Sequence, residues 1–200
     1  MKKILITGFE PFGGETVNPS YEAVRRLPDM AEDAVFIKKE LPVSFERSGE
    51  LLRDLIHQYE PDMVLCVGQA GGCTCLRLEQ IAVNCKEASI ADNDGAWGRG
   101  EKIIEDGPDG YFTKLPVRQW KELLAEHDIP CQLSWSAGTY VCNCLMYMLL
   151  HEIAVSYPAM EGGFLHIPYN GAQAAGKNGV AYMPTEEVVR ALNLILGGKA

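Results

Sequence analysis

Short apolar runs alternate along the chain with segments in which apolar residues return every three or four positions, the pattern of strands interleaved with helices. The first run, at 3–7, ends in the turn-rich Gly8-Phe9-Glu10-Pro11-Phe12-Gly13-Gly14, and a helix is predicted over 19–27. Strand character returns at 35–41. Ser44 then opens a helix in which Phe45, Leu51, Leu52, Leu55, Ile56 and Tyr59 share helical spacing, and Pro61 prevents its continuation. Residues 63–67 are apolar without a break, as in a strand covered by helices on both faces, and run into Gly68-Gln69-Ala70-Gly71-Gly72.

A strand is predicted over 76–84, followed by a long irregular stretch over 85–110 that carries Asp92-Asn93-Asp94-Gly95 and Asp106-Gly107-Pro108-Asp109-Gly110. The rest reads as a helix at 117–126, a strand at 131–134, a helix at 140–156 and a strand at 162–167. A helix at 185–196, capped by Thr185 and stopped by Gly197 and Gly198, closes the chain. The helix at 140–156 is apolar on nearly every side and so belongs at the centre of the molecule. This order predicts one α/β domain over 1–200, a three-layer α/β/α sandwich with a mostly parallel, mixed central sheet.

Composition narrows the function. Eighteen Lys and Arg against 27 Asp and Glu give a net charge of −9, which supplies no basic face for nucleic acid. The opening apolar run is broken at 7–10, before a signal-peptide core forms, and the densest run, at 144–150, is far shorter than a membrane helix. Seven cysteines (66, 73, 75, 85, 131, 142 and 144) lack the spacing of a disulfide scaffold and indicate reduced thiols in a cytoplasmic protein. Cys66, inside an apolar strand, reads as core packing.

Open α/β sheets hold ligands beyond the carboxyl ends of their strands, which directs attention to the residues after 7, 67, 134 and 165. The 8–14 loop lacks the pattern of a phosphate-binding loop, and Glu10 would repel phosphate. Cys142 stands at the start of the buried helix, where the helix N-terminus stabilises a thiolate, and His166 follows a buried strand from which an imidazole can serve that thiol as base. Glu79 lies within a β-like segment, where a carboxylate needs a partner such as an imidazole. The plain structural alternatives are helix packing for Cys142, a backbone-satisfied ring for His166 and a solvent-facing Glu79. His57, His127 and His151 read as structural. The pairs Cys73/Cys75 and Cys142/Cys144 lack the usual zinc spacing, and neither is assigned a metal.

These blocks together resemble the pyrrolidone carboxyl peptidases, also called type I pyroglutamyl peptidases. The likeness rests on Thr7 to Gly14 with Asn18-Pro19, Gly68 to Gly72, Glu79 to Asn84, Asp92-Asn93, Ser136 to Asn143 and His166 to Tyr169. It implies a cysteine exopeptidase that removes N-terminal pyroglutamate from peptides without metal or cofactor. Cys142 would be the nucleophile, His166 the general base and then acid, and Glu79 the residue that orients the imidazole. It further implies that Phe9 and Phe12 flank the pyroglutamyl ring with Gln69 nearby, and that the protein is a homo-oligomer of the tetrameric kind.

Four positions depart from the family pattern. Cys73, Gln80 and Ser89 stand where the family has arginine, and Cys144 where it commonly has histidine. Because a guanidinium supplies a fixed positive fork, its loss near a reacting centre weakens charge stabilisation. Two other classes follow from the residues: a catalytically silent binder of pyroglutamyl peptides, and, on fold analogy alone, a nucleoside-phosphorylase-like enzyme.

Overall fold

The computed structural model describes residues 1–198; the last two residues of the expected domain, 199 and 200, lie outside them. A six-stranded sheet in the order β2-β1-β3-β10-β4-β9 forms the centre, built from β1 (Lys2–Phe9), β2 (Ala34–Leu41), β3 (Met63–Gln69), β4 (Leu76–Glu79), β9 (Cys131–Ser134) and β10 (Glu161–Ile167). Every pairing in it is parallel except β4 with β10. The six residues between β3 and β4 are too few for a crossover, so β4 turns back along the sheet.

Strand alternation divides the core into two layers. Ile4, Ile6, Met63, Leu65, Val67, Leu165 and Ile167 pack against α1 (Pro19–Val24), α3 (Val117–Glu126) and α6 (Thr185–Ile195). Leu5, Phe9, Val64, Cys66 and Phe164 face α2 (Arg47–Tyr59) and α4 (Val141–Val155). Helix α4 buries Val141, Cys144, Leu145, Met146, Tyr147, Leu149, Leu150 and Ile153, as its all-round apolar sequence requires. Each fully buried leucine there contributes about 2 kcal/mol of transfer free energy.

The structure corrects the sequence reading at five places. The strand expected over 76–84 breaks at Gln80, where the Gln80 N–H donates to Ser134 O (2.8 Å) and Thr113 N–H donates to Gln80 O (2.9 Å). Beyond it β5 (Ile81–Val83) leaves the main sheet to pair with β8 (Gly110–Phe112). The stretch expected to be irregular also holds a small ladder, β6 (Lys86–Glu87) with β7 (Arg99–Glu101). Ser44 does open its helix, by accepting from Arg47 N–H at 3.1 Å, but the helical residues start only at Arg47. Thr185 is the first helical residue of α6 rather than its cap, which falls on Pro184 without a side-chain bond. A short helix, α5 (Gly171–Ala175), was not anticipated; Asn170 and Gln173 form a reciprocal capping box at its start.

The loop after β1 is tied down before α1 begins. Asn18 accepts from Ser20 N–H (3.0 Å) and donates to Glu10 O (2.9 Å), while Ser20 Oγ accepts from Phe9 N–H (2.9 Å). Gly8 permits the close packing, since a Cβ there would fall 2.5 Å from Tyr21 Cα.

Candidate active site

Three of the sequence candidates meet on the α4 face of the sheet. On β10, Leu165 and Ile167 point into the opposite layer, so His166 projects beside Phe164 toward α4. It pairs in register with Gly68 on β3 and Arg77 on β4. Glu79 ends β4 on the same face, because Leu76 and Leu78 occupy the other. Its carboxylate is 0% exposed, and the His166 Nδ1–H donates to Glu79 Oε1 at 2.8 Å. A lone carboxylate buried this deeply is costly, and the ring provides the compensating partner. Fixing the Nδ1 proton leaves Nε2 for the thiol side.

Cys142 is the second residue of α4 and reaches across to the same point. A Cβ at Gly68 would lie 2.9 Å from Cys142 Sγ and 2.7 Å from the Phe164 ring, so only glycine lets the thiol settle onto the strand. From there Cys142 is close enough to His166 to act on the charge of its ring. Burial alone would push the imidazole down. The Cys142 charge and hydrogen bond, with the hydrogen bond and charge of Glu79, overcome it and carry His166 from 6.5 up to about 9. The ring therefore holds its proton at neutral pH. The α4 N-terminus carries no side-chain cap, which leaves its first-turn N–H groups, that of Cys142 included, to oppose negative charge.

Burial pushes Cys66 and Cys144 up to about 12, and the Cys144 thiol donates to Phe45 O, so it points away from Cys142. Burial also raises Cys73 and Cys131. Among the described residues no group of three or more His, Cys, Asp or Glu side chains is placed to hold a metal ion.

The residues expected beside the substrate take different positions. Phe9 is 2% exposed; its ring lies 6.4 Å from Phe164, which lies 4.8 Å from His166, so Phe9 backs the imidazole from within the core. Phe12 is half-buried with its ring 6.3 Å from Tyr140, and Tyr140 meets Phe45 edge-on at 5.3 Å. Gln69 accepts from Gln173 Nε2 at 3.0 Å, which anchors it to α5.

Several residues that shape the site were given no role in it from the sequence. Asn143, 0% exposed, accepts from Val83 N–H (2.9 Å) and donates to Val83 O (2.9 Å) and Cys85 O (3.1 Å), clamping the strand after Glu79 to the helix of Cys142. A lone amide in an apolar helix was the available signal, since a buried amide must find partners. Glu10 is a tether: its Oε1 accepts from Val43 N–H (3.0 Å) and Asn93 Nδ2 (2.8 Å). Asp92 accepts from the N–H groups of Phe45, Asp94 and Ala96 and so locks the adjoining turn.

Of the four departures from the family pattern, Cys73, Gln80 and Cys144 are buried and Ser89 is exposed. Ser89 lines a cleft of about 720 Å³ with Glu87, Ile90, Thr139 and Tyr140, directly before the helix that carries Cys142.

Comparison with known proteins agrees over nearly the whole chain. The profile of the pyroglutamyl peptidase family matches residues 2–197. The pyrrolidone-carboxylate peptidase of Thermosipho africanus is 48% identical over 190 residues, covering 95% of this chain and 93% of its own length. The crystal structure of pyroglutamyl peptidase I from Bacillus amyloliquefaciens superposes with a TM-score of 0.94 at 42% identity, over 97% of this chain and 92% of that one. The pyrrolidone carboxyl peptidase of Fervidobacterium islandicum gives 0.95 at 37% identity, over 98% and 97%.

Proposed function

The chain belongs to the pyroglutamyl peptidase family, and from that premise we propose that it is a cysteine exopeptidase releasing pyroglutamate from the N-terminus of peptides. The observation that carries the reading is the line of contacts Glu79–His166–Cys142, with the carboxylate fully buried at 2.8 Å from the ring and the thiol at an uncapped helix N-terminus.

Cys142 Sγ attacks the pyroglutamyl carbonyl, forming the S–C bond while the first-turn N–H groups of α4 oppose the charge on oxygen. The protonated His166 gives its proton to the leaving nitrogen as the C–N bond breaks, and the shortened peptide departs. Water then loses a proton to His166 Nε2 and attacks the thioester. Its S–C bond breaks, and pyroglutamate and the thiolate–imidazolium pair are restored. Glu79 keeps the ring in the required tautomer and balances its charge throughout.

Phe12 and Tyr140 offer an apolar wall for the lactam ring and Gln69 a polar edge, which suits a neutral ligand without an α-amine. The reading takes the chain as one peptidase domain acting in the cytoplasm, where its seven free cysteines stay reduced, and as a homo-oligomer of the tetrameric kind. No helix among the described residues is long and apolar enough to cross a membrane.

Release of a fluorophore from a pyroglutamyl amide, measured under reducing conditions with chelator for the native chain and Cys142→Ser, tests it. Turnover is expected to survive chelation and to disappear in the variant. A folded, reduced native protein without turnover would overturn the reading and favour a silent binder.

A further inference from the structure

The cleft beside the nucleophile has an unbalanced charge. Glu87, Ser89, Ile90, Thr139 and Tyr140 are among its lining residues, and Glu87 is the only acidic or basic residue there. The position of Glu87 is set in advance: its N–H donates to Thr139 O at 3.0 Å, and the Thr139 hydroxyl donates back to Glu87 O at 2.8 Å. This pair of hydrogen bonds to the segment leading into α4 ties Glu87 to the same support as Cys142, two residues beyond Tyr140.

The side chain of Glu87 is exposed and makes no ion pair among the described residues. The adjacent Lys86 is paired with Glu101. Arg99, the register partner of Glu87 across the β6–β7 ladder, neither pairs with it nor lines the cleft. Glu87 therefore lines the cleft without an ion-pair partner among the described residues, in a protein whose net charge of −9 already attracts cations.

A pyroglutamyl residue has no charged amine of its own, so the first charge such a peptide can bring to the site is the side chain that follows the scissile bond. Thr139 and Tyr140, which line this cleft, stand three and two positions before Cys142 in the chain, so on the peptidase reading the cleft is where the residue after the scissile bond would lie. We propose that Glu87 is a specificity-determining residue that makes this chain favour pyroglutamyl peptides with lysine or arginine directly after pyroglutamate. The inference rests on the peptidase reading above and names the substrate class of the same site.

The test uses the native full-length chain and three peptides that differ only at the residue after pyroglutamate: lysine, leucine or glutamate. Released pyroglutamate is quantified by chromatography. At low salt kcat/KM for the lysine peptide is expected to exceed that for the leucine peptide by about 5-fold, as an exposed charge pair allows, with the glutamate peptide below both. The difference should lie in KM and should shrink in 0.5 M salt, since mobile ions screen exposed charges. Glu87→Gln should bring the lysine-to-leucine ratio close to one, and Glu87→Lys should reverse the order of the lysine and glutamate peptides. Equal kcat/KM for all three in the native protein, or a ratio that survives both substitutions, would overturn the inference while leaving the peptidase reading intact. Failure to release pyroglutamate from any of them would overturn both.

Discussion

Replacing Glu79 by glutamine removes one negative charge from a fully buried position and changes almost nothing else in shape. In the native protein the rise of His166 from 6.5 to about 9 means the folded ring holds its proton roughly 300-fold more tightly than a free imidazole. Two charges and two hydrogen bonds produce that rise against burial, one of each from Cys142 and one of each from Glu79. Losing the Glu79 share is expected to lower the pKa of the ring. The sign follows from the role of the proton. The leaving nitrogen needs it, so activity is lost as pH rises through the folded value for His166, near 9 in the native protein. In Glu79→Gln that alkaline limb should move toward neutral pH.

The amide can also turn its NH₂ toward Nδ1 and favour the wrong tautomer. With the lost charge, a fall of about 10²- to 10⁴-fold in kcat/KM is expected. The assay is kcat/KM for a fluorogenic pyroglutamyl amide across pH 5 to 10.5, for native and variant protein, with circular dichroism to confirm folding. An alkaline limb that stays in place and a rate within about threefold of native would refute the assignment of Glu79 as the partner that sustains the imidazolium.

Two further substitutions test how the site is held. Gly68→Ala places a methyl group 2.9 Å from Cys142 Sγ and 2.7 Å from the buried Phe164 ring, so both must move; the expected result is a loss of roughly 100-fold in kcat together with about 1–3 kcal/mol of destabilisation, read by the same assay and by calorimetry. Asn143→Ala leaves Val83 N–H, Val83 O and Cys85 O without their side-chain partners, and should cost about 2–4 kcal/mol in urea unfolding. A cost below about 0.5 kcal/mol would mean that the strand after Glu79 is held to α4 by other contacts.

Much of this architecture is legible in the chain. The apolar runs at β1, β3 and β10 and the periodic faces of α2, α3 and α6 are local patterns, set by residues within one element, and they specify a layered α/β core. The unbroken apolar sequence of α4 places it at the centre for the same reason. Cys142, His166 and Glu79 were identifiable as residue types at strand ends and a helix start, and resemblance sharpened them into a triad.

What only the tertiary structure decided lies where long-range partners outweigh local preference. The 76–84 segment has continuous β character, yet it breaks at Gln80 because its backbone bonds go to Ser134 and Thr113, far apart in the chain. Glu10 reads as an anion-repelling loop residue until Val43 and Asn93 appear beside it. Phe9 reads as a loop-edge residue until strand alternation places it beside Phe164, which itself adjoins His166. The cleft charge at Glu87 exists only because the 139–140 segment folds against β6. Periodicity records which face of an element is buried. Which residues from distant elements share that face depends on sheet order and strand direction, and here the reversal of β4 is what sets Glu79 against His166.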